Sequence, residues 1–527
     1  MASRRLIDSL LSGNYFDHEV KEPQLMETHI SWVILTGKFA YKIKKPVDLG
    51  FLDFSLLSSR KHYCEEELRL NQRFASQYSH QLTPSIYLDL VEIGGTEDEP
   101  VLNANESIIE YAVKMHQFDQ QALVSHLVEA DQLAPVQFER LGQDLAQLYQ
   151  MLDSVDGLMF GTYDAVLSPA LENFSTIRPL LVDADSTELI ADRIGEIESW
   201  TLSTANKLAH HIASRKQLGM VKDCHGDLHT GNIAFIKNKF VLFDCLEFSD
   251  AFRVHDVICD LAILLMDLEV KGRKDLSSSA LYGYLEKSGD YDALPLLVFY
   301  KAYYAMVRAK VSFIRASQAV KEQATKNVNE ARLEARRFLE LAVSYMQQPK
   351  PCLYITCGVS GSGKTTLAKE MLAVSDLVLI RSDVERKRLF GMQAEESSAQ
   401  CSQNIYSEDA TERTFGVLYQ TARNLLENEL SIIVDGTFLN QELRLKFRQL
   451  AESECADFKI IHCHANKSLL SKRLHDREKR GGDASEANNA VMESQLDHFD
   501  AFTEEEKTYV VNLDTAYNIN LNSLGLD

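Results

Sequence analysis

Two stretches of this sequence set residue types at spacings that handle phosphate. The first, Gly358-Val359-Ser360-Gly361-Ser362-Gly363-Lys364-Thr365-Thr366, contains G-x-x-x-x-G-K-[ST] between an apolar run at Cys352 to Thr356 and a helix-like run at Thr366 to Leu372. Glycines at 358, 361 and 363 let the backbone curl, so that N–H groups such as those of Ser360 and Ser362 face an anion. Lys364 then reaches the outer phosphates of a nucleotide, and the Thr365 hydroxyl ligates Mg²⁺. The second stretch, His225-Gly226-Asp227-Leu228-His229-Thr230-Gly231-Asn232, reads H-x-D-x-x-x-x-N and is followed, after the apolar run Phe240 to Phe243, by Asp244. Phosphoryl transfer asks for one carboxylate to orient an acceptor hydroxyl, and for an amide and a second carboxylate to hold Mg²⁺ against the phosphates. Asp227, Asn232 and Asp244 supply these functions. His225 and His229 as a metal pair at i,i+4 is the rival reading, but Gly226 and Gly231 argue against a helix that would present both rings.

Further residues gather around each stretch. In Phe39-Ala40-Tyr41-Lys42-Ile43-Lys44, strand alternation puts Lys42 and Lys44 on one face; Ala40 leaves room there for adenine, which makes Lys42 the first candidate for the phosphates and Lys44 the second. Glu67, in a helix expected over Lys61 to Phe74, is the expected ion-pair partner, with Glu66 as the alternative. Glu110-Tyr111-Ala112-Val113-Lys114-Met115 reads as the end of a strand, a hinge whose backbone at Glu110 and Ala112 could pair with adenine. Around the glycine-rich loop, Asp383 follows the strand-like Leu377 to Ile380 and could deprotonate an acceptor hydroxyl. Arg386, three residues on, could hold an anion of the acceptor, and Arg444 is a weaker candidate for the same role. Asp435, ending Ile432-Ile433-Val434, stands where a second acidic group holds Mg²⁺ through water. Arg473 and Arg477 at i,i+4, with Arg480 before Gly481-Gly482, could close over the nucleotide as a flap. His462-Cys463-His464 lacks a second ligand pair nearby and reads as structural.

These residues need at least two cores to position them, and 527 residues that are 45% hydrophobic and 25% charged can build them. Alternating strand-like segments before about residue 112 give way to helical periodicity, as at Phe138, Leu141, Leu145, Leu148 and Leu152. A charged helical stretch then ends at Met346-Gln347-Gln348-Pro349-Lys350-Pro351, beyond which short apolar strands alternate with polar helical runs, the pattern of a parallel sheet with covering helices. The expected organisation is a domain over 1–345 (a mixed lobe at about 1–112, a helical lobe at about 113–345), a linker at 346–351 and a second domain over 352–527. The formal net charge of −22 opposes extended binding to polyanions unless a local basic pocket overrides it. Nine cysteines without C-x-x-C fit a reducing compartment. No secretory leader and no run of 18 apolar residues is found, so a cytoplasmic protein without a membrane partner is expected. No feature specifies an oligomeric state.

Residues 352–511 resemble the P-loop kinases that include gluconate kinase-like, zeta-toxin-like and polynucleotide 5′-hydroxyl kinases. The likeness rests on the glycine-rich loop, on Arg381-Ser382-Asp383-Val384-Glu385-Arg386, on Val434-Asp435-Gly436-Thr437-Phe438 and on Arg473 to Arg480. It implies that Asp383 is the acceptor-activating base, Arg386 an acceptor contact, and Arg473 and Arg477 lid residues. Residues 6–345 resemble the aminoglycoside phosphotransferase and choline kinase-like family through His225 to Asn232 and Asp244, and the whole chain is similar to bacterial proteins that fuse the two. That likeness implies Asp227 as catalytic aspartate and Asn232 and Asp244 as metal ligands. It also implies structural roles for Asp256 and Asp260. The implied fold class is an α+β bilobal protein-kinase-like domain followed by an α/β P-loop domain with a parallel sheet. The expected function is transfer of the ATP γ-phosphoryl group, with Mg²⁺, to a small-molecule hydroxyl by each domain. The alternatives are a polynucleotide 5′-hydroxyl kinase in the second domain, with a nucleic-acid end as partner, or one domain sensing ATP to regulate the other. Only Gly37 stands where protein kinases carry a glycine-rich cover, and Asp244-Cys245-Leu246 replaces D-F-G, which disfavours protein kinase activity.

Overall fold

The computed structural model describes residues 4–517 and 521, apart from 49, 51, 78–85, 156, 158, 182–186, 322–323, 348, 401–403 and 481–482. Gln348 of the expected linker and the Gly481-Gly482 pair therefore lie outside the described residues. The chain forms two compact units. One comprises 1–133, 148–166 and 212–267, and the other 134–147, 167–211 and 268–527.

The first unit is built on an antiparallel six-stranded sheet in the order β1-β2-β3-β6-β4-β5, with β1 Gln24–Glu27, β2 Ser31–Leu35, β3 Phe39–Lys44, β4 Tyr87–Gly95, β5 Pro100–Leu102 and β6 Ile108–His116. Alternation along β3 decides which side does chemistry. Tyr41 and Ile43 enter an apolar cluster with Leu6, Ile7 and Leu10 of α1 (Arg4–Ser12), whereas Ala40 joins Cys64 of α2 (Leu57–Gln77), Tyr87 and Val113 on the opposite face. Lys42 and Lys44 share that second face, as expected from period two. Beyond the sheet come β7 (Val221–Asp223), the loop bearing His225 to Asn232, the hairpin of β8 (Ile233–Ile236) and β9 (Lys239–Leu242), and β10 (Val254–Asp256), which pairs with β7. This is an α+β unit, an antiparallel sheet with α2 packed on one face.

In the second unit, helices α3 (Lys274–Ser288), α4 (Leu294–Lys321) and α5 (Thr325–Met346) precede a parallel sheet ordered β12-β13-β11-β14-β15. Its strands are β11 Cys352–Cys357, β12 Leu377–Arg381, β13 Ser431–Asp435, β14 Asp457–His464 and β15 Val510–Asp514. Every residue of β12 is buried, as in a parallel strand covered on both faces. The connecting helices are α6 (Lys364–Val374), α7 (Ser382–Leu389), α8 (Glu408–Glu427), α9 (Gln441–Ser453) and α10 (Lys467–Arg480). One apolar cluster joins Leu367, Met371, Leu379, Ile433 and Ile461 to Tyr282, so α3 contributes to the core beneath the sheet. This is an α/β P-loop fold with a five-stranded parallel sheet. Among the described residues no helix is long and apolar enough to cross a membrane.

Candidate functional sites

In the first unit, Glu67 is the centre of the ion-pair network. It has no exposed surface, and its two carboxylate oxygens each lie 2.8 Å from a lysine, Oε1 from Lys42 Nζ and Oε2 from Lys44 Nζ. Burial by itself would raise this carboxyl, but the two ammonium groups outweigh it and hold it at about 2. Each lysine has a further acidic partner: Lys42 meets Asp244, and Lys44 meets Glu247. Burial pushes the Glu247 carboxyl up, against the pull of Lys44. Glu66 instead pairs with Arg69 on the exposed side of α2. The loop from His225 is tied down by buried carboxylates. Asp260 accepts the backbone N–H groups of His225 and Gly226 at 2.7 and 2.9 Å, and Asp267 accepts that of Thr230 at 3.0 Å. The His225 ring donates through Nε2 to the Phe243 carbonyl at 2.9 Å, linking the loop to the strand that leads to Asp244. Burial lowers its pKa, which keeps the ring neutral. Asn232 Nδ2 donates to the Asp227 carbonyl at 2.9 Å and lies 3.2 Å from Asp227 Oδ2. His229 Nε2 stands 3.5 Å from the same carboxylate while its Nδ1 accepts the Gly231 N–H. The two histidines therefore serve the loop and do not converge as a metal pair.

Three residues that sequence reasoning passed over complete this arrangement. Asn71 Oδ1 accepts the Cys245 N–H at 3.0 Å while its amide donates to the Glu67 carbonyl at 2.7 Å. The Tyr87 hydroxyl accepts the Asp244 N–H at 3.1 Å. Glu247 is the third, and its signal was its spacing of three from Asp244. The i,i+4 spacing of Glu67 and Asn71 was equally readable. Glu110 and Ala112 are not brought to the site. Strand β6 runs on to His116 between β3 and β4, with Ala112 paired to Ile43 on one side and Val91 on the other, and the Glu110 carboxylate is consumed by buried Arg60 at 2.9 Å. Ala112, engaged on both edges, has no backbone group to offer adenine, and Glu110 lies further back along the strand, paired to Ile93 of β4. Asp256, at the end of β10, pairs with Arg215.

In the second unit, a cavity of about 1290 Å³ is lined by the loop residues Ser360, Gly361, Gly363, Lys364, Thr365 and Thr366 together with Asp383, Arg386, Asp435, Arg473 and Arg477. Gly358 sits at φ +140°, and a Cβ there would lie 2.3 Å from the Cys463 carbonyl oxygen, so the turn into the loop needs glycine. Lys364 Nζ donates to the Val359 carbonyl at 2.9 Å, and burial lowers its pKa. Thr365 Oγ1 donates to Asp435 Oδ2 at 2.6 Å, while Asp435 Oδ1 lies 3.1 Å from the Thr356 hydroxyl. This hydroxyl–carboxylate pair is a hard oxygen set that fits Mg²⁺. Among the described residues there is no group of three or more His, Cys, Asp or Glu side chains able to hold a metal.

The acceptor-side candidates divide. Arg386 is buried, donates to the Ile405 carbonyl at 2.8 Å and to the Thr411 hydroxyl, and keeps an unpartnered Nε at the cavity wall. Arg444 is also fully buried but is spent elsewhere, on Glu506 at 2.7 Å and the carbonyls of Phe438, Leu439 and Asp500. A charge this far from solvent must be paired where it is, which takes Arg444 out of the site. Arg473 and Arg477 line the cavity, held by Thr515 and the Ala487 carbonyl. His462 pairs with Asn512 and packs on Phe499.

Comparison with known proteins places these geometries among relatives. A family model described as an AAA domain matches residues 353–502. An uncharacterized protein of Mycobacterium tuberculosis (strain ATCC 25618 / H37Rv) is 31% identical over 468 residues, 87% of this chain and 87% of its own length. Among solved structures, a choline/ethanolamine kinase family protein from Mesorhizobium loti is 12% identical with a TM-score of 0.35, covering 64% of this chain and 99% of that one. A gluconokinase from Sinorhizobium meliloti is 18% identical with a TM-score of 0.24, covering 32% and 85%.

Proposed function

The chain belongs to the family of the mycobacterial protein, whose match is too long to leave out either half, and from that premise we propose a bifunctional ATP-dependent phosphotransferase. Each domain, 1–345 and 352–527, transfers the γ-phosphoryl group of ATP to a hydroxyl of a small molecule. The observation that supports this most directly is the cavity that unites Lys364 and the Thr365–Asp435 pair with Asp383 and Arg386. Phosphate-facing groups and acceptor-facing groups meet there in one space, the arrangement that in-line transfer requires.

In the second domain Lys364 and the loop N–H groups hold the phosphates, Thr365 and Asp435 would hold Mg²⁺, and Asp383 takes the acceptor proton. Arg386 faces an anionic group of the acceptor, and Arg473 and Arg477 neutralise charge on the transferred group. In the first domain Lys42 is the phosphate lysine, because its further partner is Asp244, the carboxylate that would hold Mg²⁺, whereas that of Lys44 is the buried Glu247. Glu67 orients Lys42, Asp227 orients the acceptor hydroxyl, and Asn232 and Asp244 would hold Mg²⁺. The metal's part is to neutralise developing charge on the phosphates.

The test is transfer of ³²P from labelled ATP into a cytosolic metabolite and RNA extract, comparing wild type with Asp227→Ala and Lys364→Ala. Two products, each lost in one variant, are expected. Salt-sensitive label on RNA 5′ ends that depends on Lys364 would instead assign the second domain to nucleic acid. No product from wild type, with nucleotide binding intact, would overturn the reading.

A further inference from the structure

Residues that precede 352–527 hold the end of β12 and helix α7, which carries Asp383 and Arg386 to the glycine-rich-loop site. Arg381 ends β12 two residues before Asp383, is buried, and reaches back to α3. Its Nη1 lies 2.9 Å from Glu286 Oε1 and 3.2 Å from the Tyr282 hydroxyl, which itself donates to Glu286. The other carboxylate oxygen of Glu286 accepts from Gln143 at 2.9 Å. Both oxygens are therefore spoken for, and Glu286 is a fixed anchor rather than a passing surface partner. The same stretch of chain also holds helix α7, which carries Asp383 and Arg386. Tyr291 donates to Glu385 at 3.0 Å, and Arg388, itself paired with Glu385, donates to the carbonyls of Leu285 and Glu286.

Arg381 Nη2 lies 3.4 Å from Asp483 Oδ1, and the consequence lies at its third nitrogen. Its Nε is buried without a hydrogen-bond partner and stands 3.8 Å from Asp435 Oδ2, the oxygen that accepts from Thr365. A guanidinium this near a metal-binding carboxylate competes with the metal for it, unless a second carboxylate holds it at a distance. We propose that Glu286 and Tyr282 are positioning residues of the glycine-rich-loop site, which hold Arg381 off Asp435 and so leave that carboxylate open to Mg²⁺. Because the anchor lies on α3, the site is complete only with α3 docked against the sheet. The inference rests on the reading of Lys364, Thr365 and Asp435 as the ATP·Mg²⁺ site. It adds that the site's metal affinity is set by a helix outside residues 352–527.

The experiment titrates Mg²⁺ against binding of a fluorescent N-methylanthraniloyl ATP analogue to the full-length chain carrying Lys42→Ala and Asp244→Ala, in which the first site has lost its phosphate lysine and a carboxylate that would hold its metal. Replacing Glu286 by Gln lets Arg381 fold onto Asp435. The Mg²⁺ concentration at half-saturation should rise by about tenfold, the usual scale for loss of an outer-shell partner. Nucleotide affinity in EDTA should move by less than twofold. The decisive variant is Glu286→Gln combined with Arg381→Gln, which removes the competing cation and should restore the wild-type Mg²⁺ dependence. A purely structural role for Glu286 predicts no such rescue. Tyr282→Phe, which removes a single hydroxyl, should shift the titration in the same direction by a smaller factor, and it stands in if Glu286→Gln fails to fold. A wild-type titration in the tested single variant, or a double variant as impaired as the single one, overturns the proposal. If Lys364→Ala binds the analogue as well as its parent chain does, the assignment of the nucleotide site is at fault, and not the role of Glu286.

Discussion

Two lysines on one carboxylate make the stability that Glu67 contributes depend on its charge. Its carboxyl is held at about 2, against an ordinary value of about 4.3. The sign follows from linkage: the folded value is depressed, so the stabilisation is fully present above the unfolded value and is lost as pH falls from about 4.3 through 2. Urea unfolding followed from pH 5 to pH 2 should therefore show wild type losing stability more steeply than Glu67→Gln. Equal slopes would remove the assignment. Arg444 gives the opposite lesson in the second unit. Fully buried and paired with Glu506, it should cost about 3–5 kcal/mol of stability on replacement by Ala, as a broken buried pair does. Nucleotide binding by the surviving folded protein should be unchanged, and a specific loss of acceptor affinity would return Arg444 to the site. That Lys42 and Lys44 share a face was readable from period two along β3. Which carboxylate each lysine meets was not readable, because Asp244 and Glu247 lie some two hundred residues further along the chain.

At the scale of elements, the glycine-rich loop was legible because its constraints are local. A strand must feed it, a helix must follow, and the backbone at Gly358 must take a conformation closed to other residues. Gly358→Ala brings a methyl group to 2.3 Å from the Cys463 carbonyl, so the loop must shift against β14. Fluorescent ATP binding should weaken by about tenfold or more, given the 1–3 kcal/mol that such backbone strain costs. Retained affinity would show that the loop can rearrange without loss. Strand β6 marks where local reading stops. Ile108 to His116 has nothing in its sequence to say where pairing ends, and its continuation past Ala112 is decided by β3 and β4 on either side. A central strand takes its length from its neighbours, so the hinge could not be placed from residues 110–115 alone.

At the scale of the whole molecule, the chain groups by contact rather than by sequence order. Residues 268–345 cluster with the P-loop fold, and Tyr282 enters the core formed with Leu367, Met371 and Ile433. A fragment spanning 268–527 should therefore unfold at a higher denaturant concentration than one spanning 352–527. Coincident unfolding curves would make α3 dispensable to that core. Lys369 adds to the same junction, pairing with Glu139 at 2.9 Å and lying over the Tyr282 ring.

The sequence by itself determined the chemistry that each half can attempt, because phosphate handling requires particular atoms at short, local spacings: the G-x-x-x-x-G-K-[ST] loop, the H-x-D-x-x-x-x-N loop and the later Asp244. It also determined the two kinds of sheet, since alternating and continuous apolar runs differ in period. Tertiary structure alone decided which charged residues face the cavities and which are spent on burial. Arg386 and Arg444 both sit on helices that follow strand ends, yet one lines the cavity and the other neutralises Glu506. Tertiary structure likewise decided that Arg381 is answered by Glu286 on a helix some ninety-five residues earlier in the chain. Ion-pair partners of this kind are chosen by proximity in the packed state, where leaving a charge unpaired costs several kcal/mol, and no local spacing records that choice.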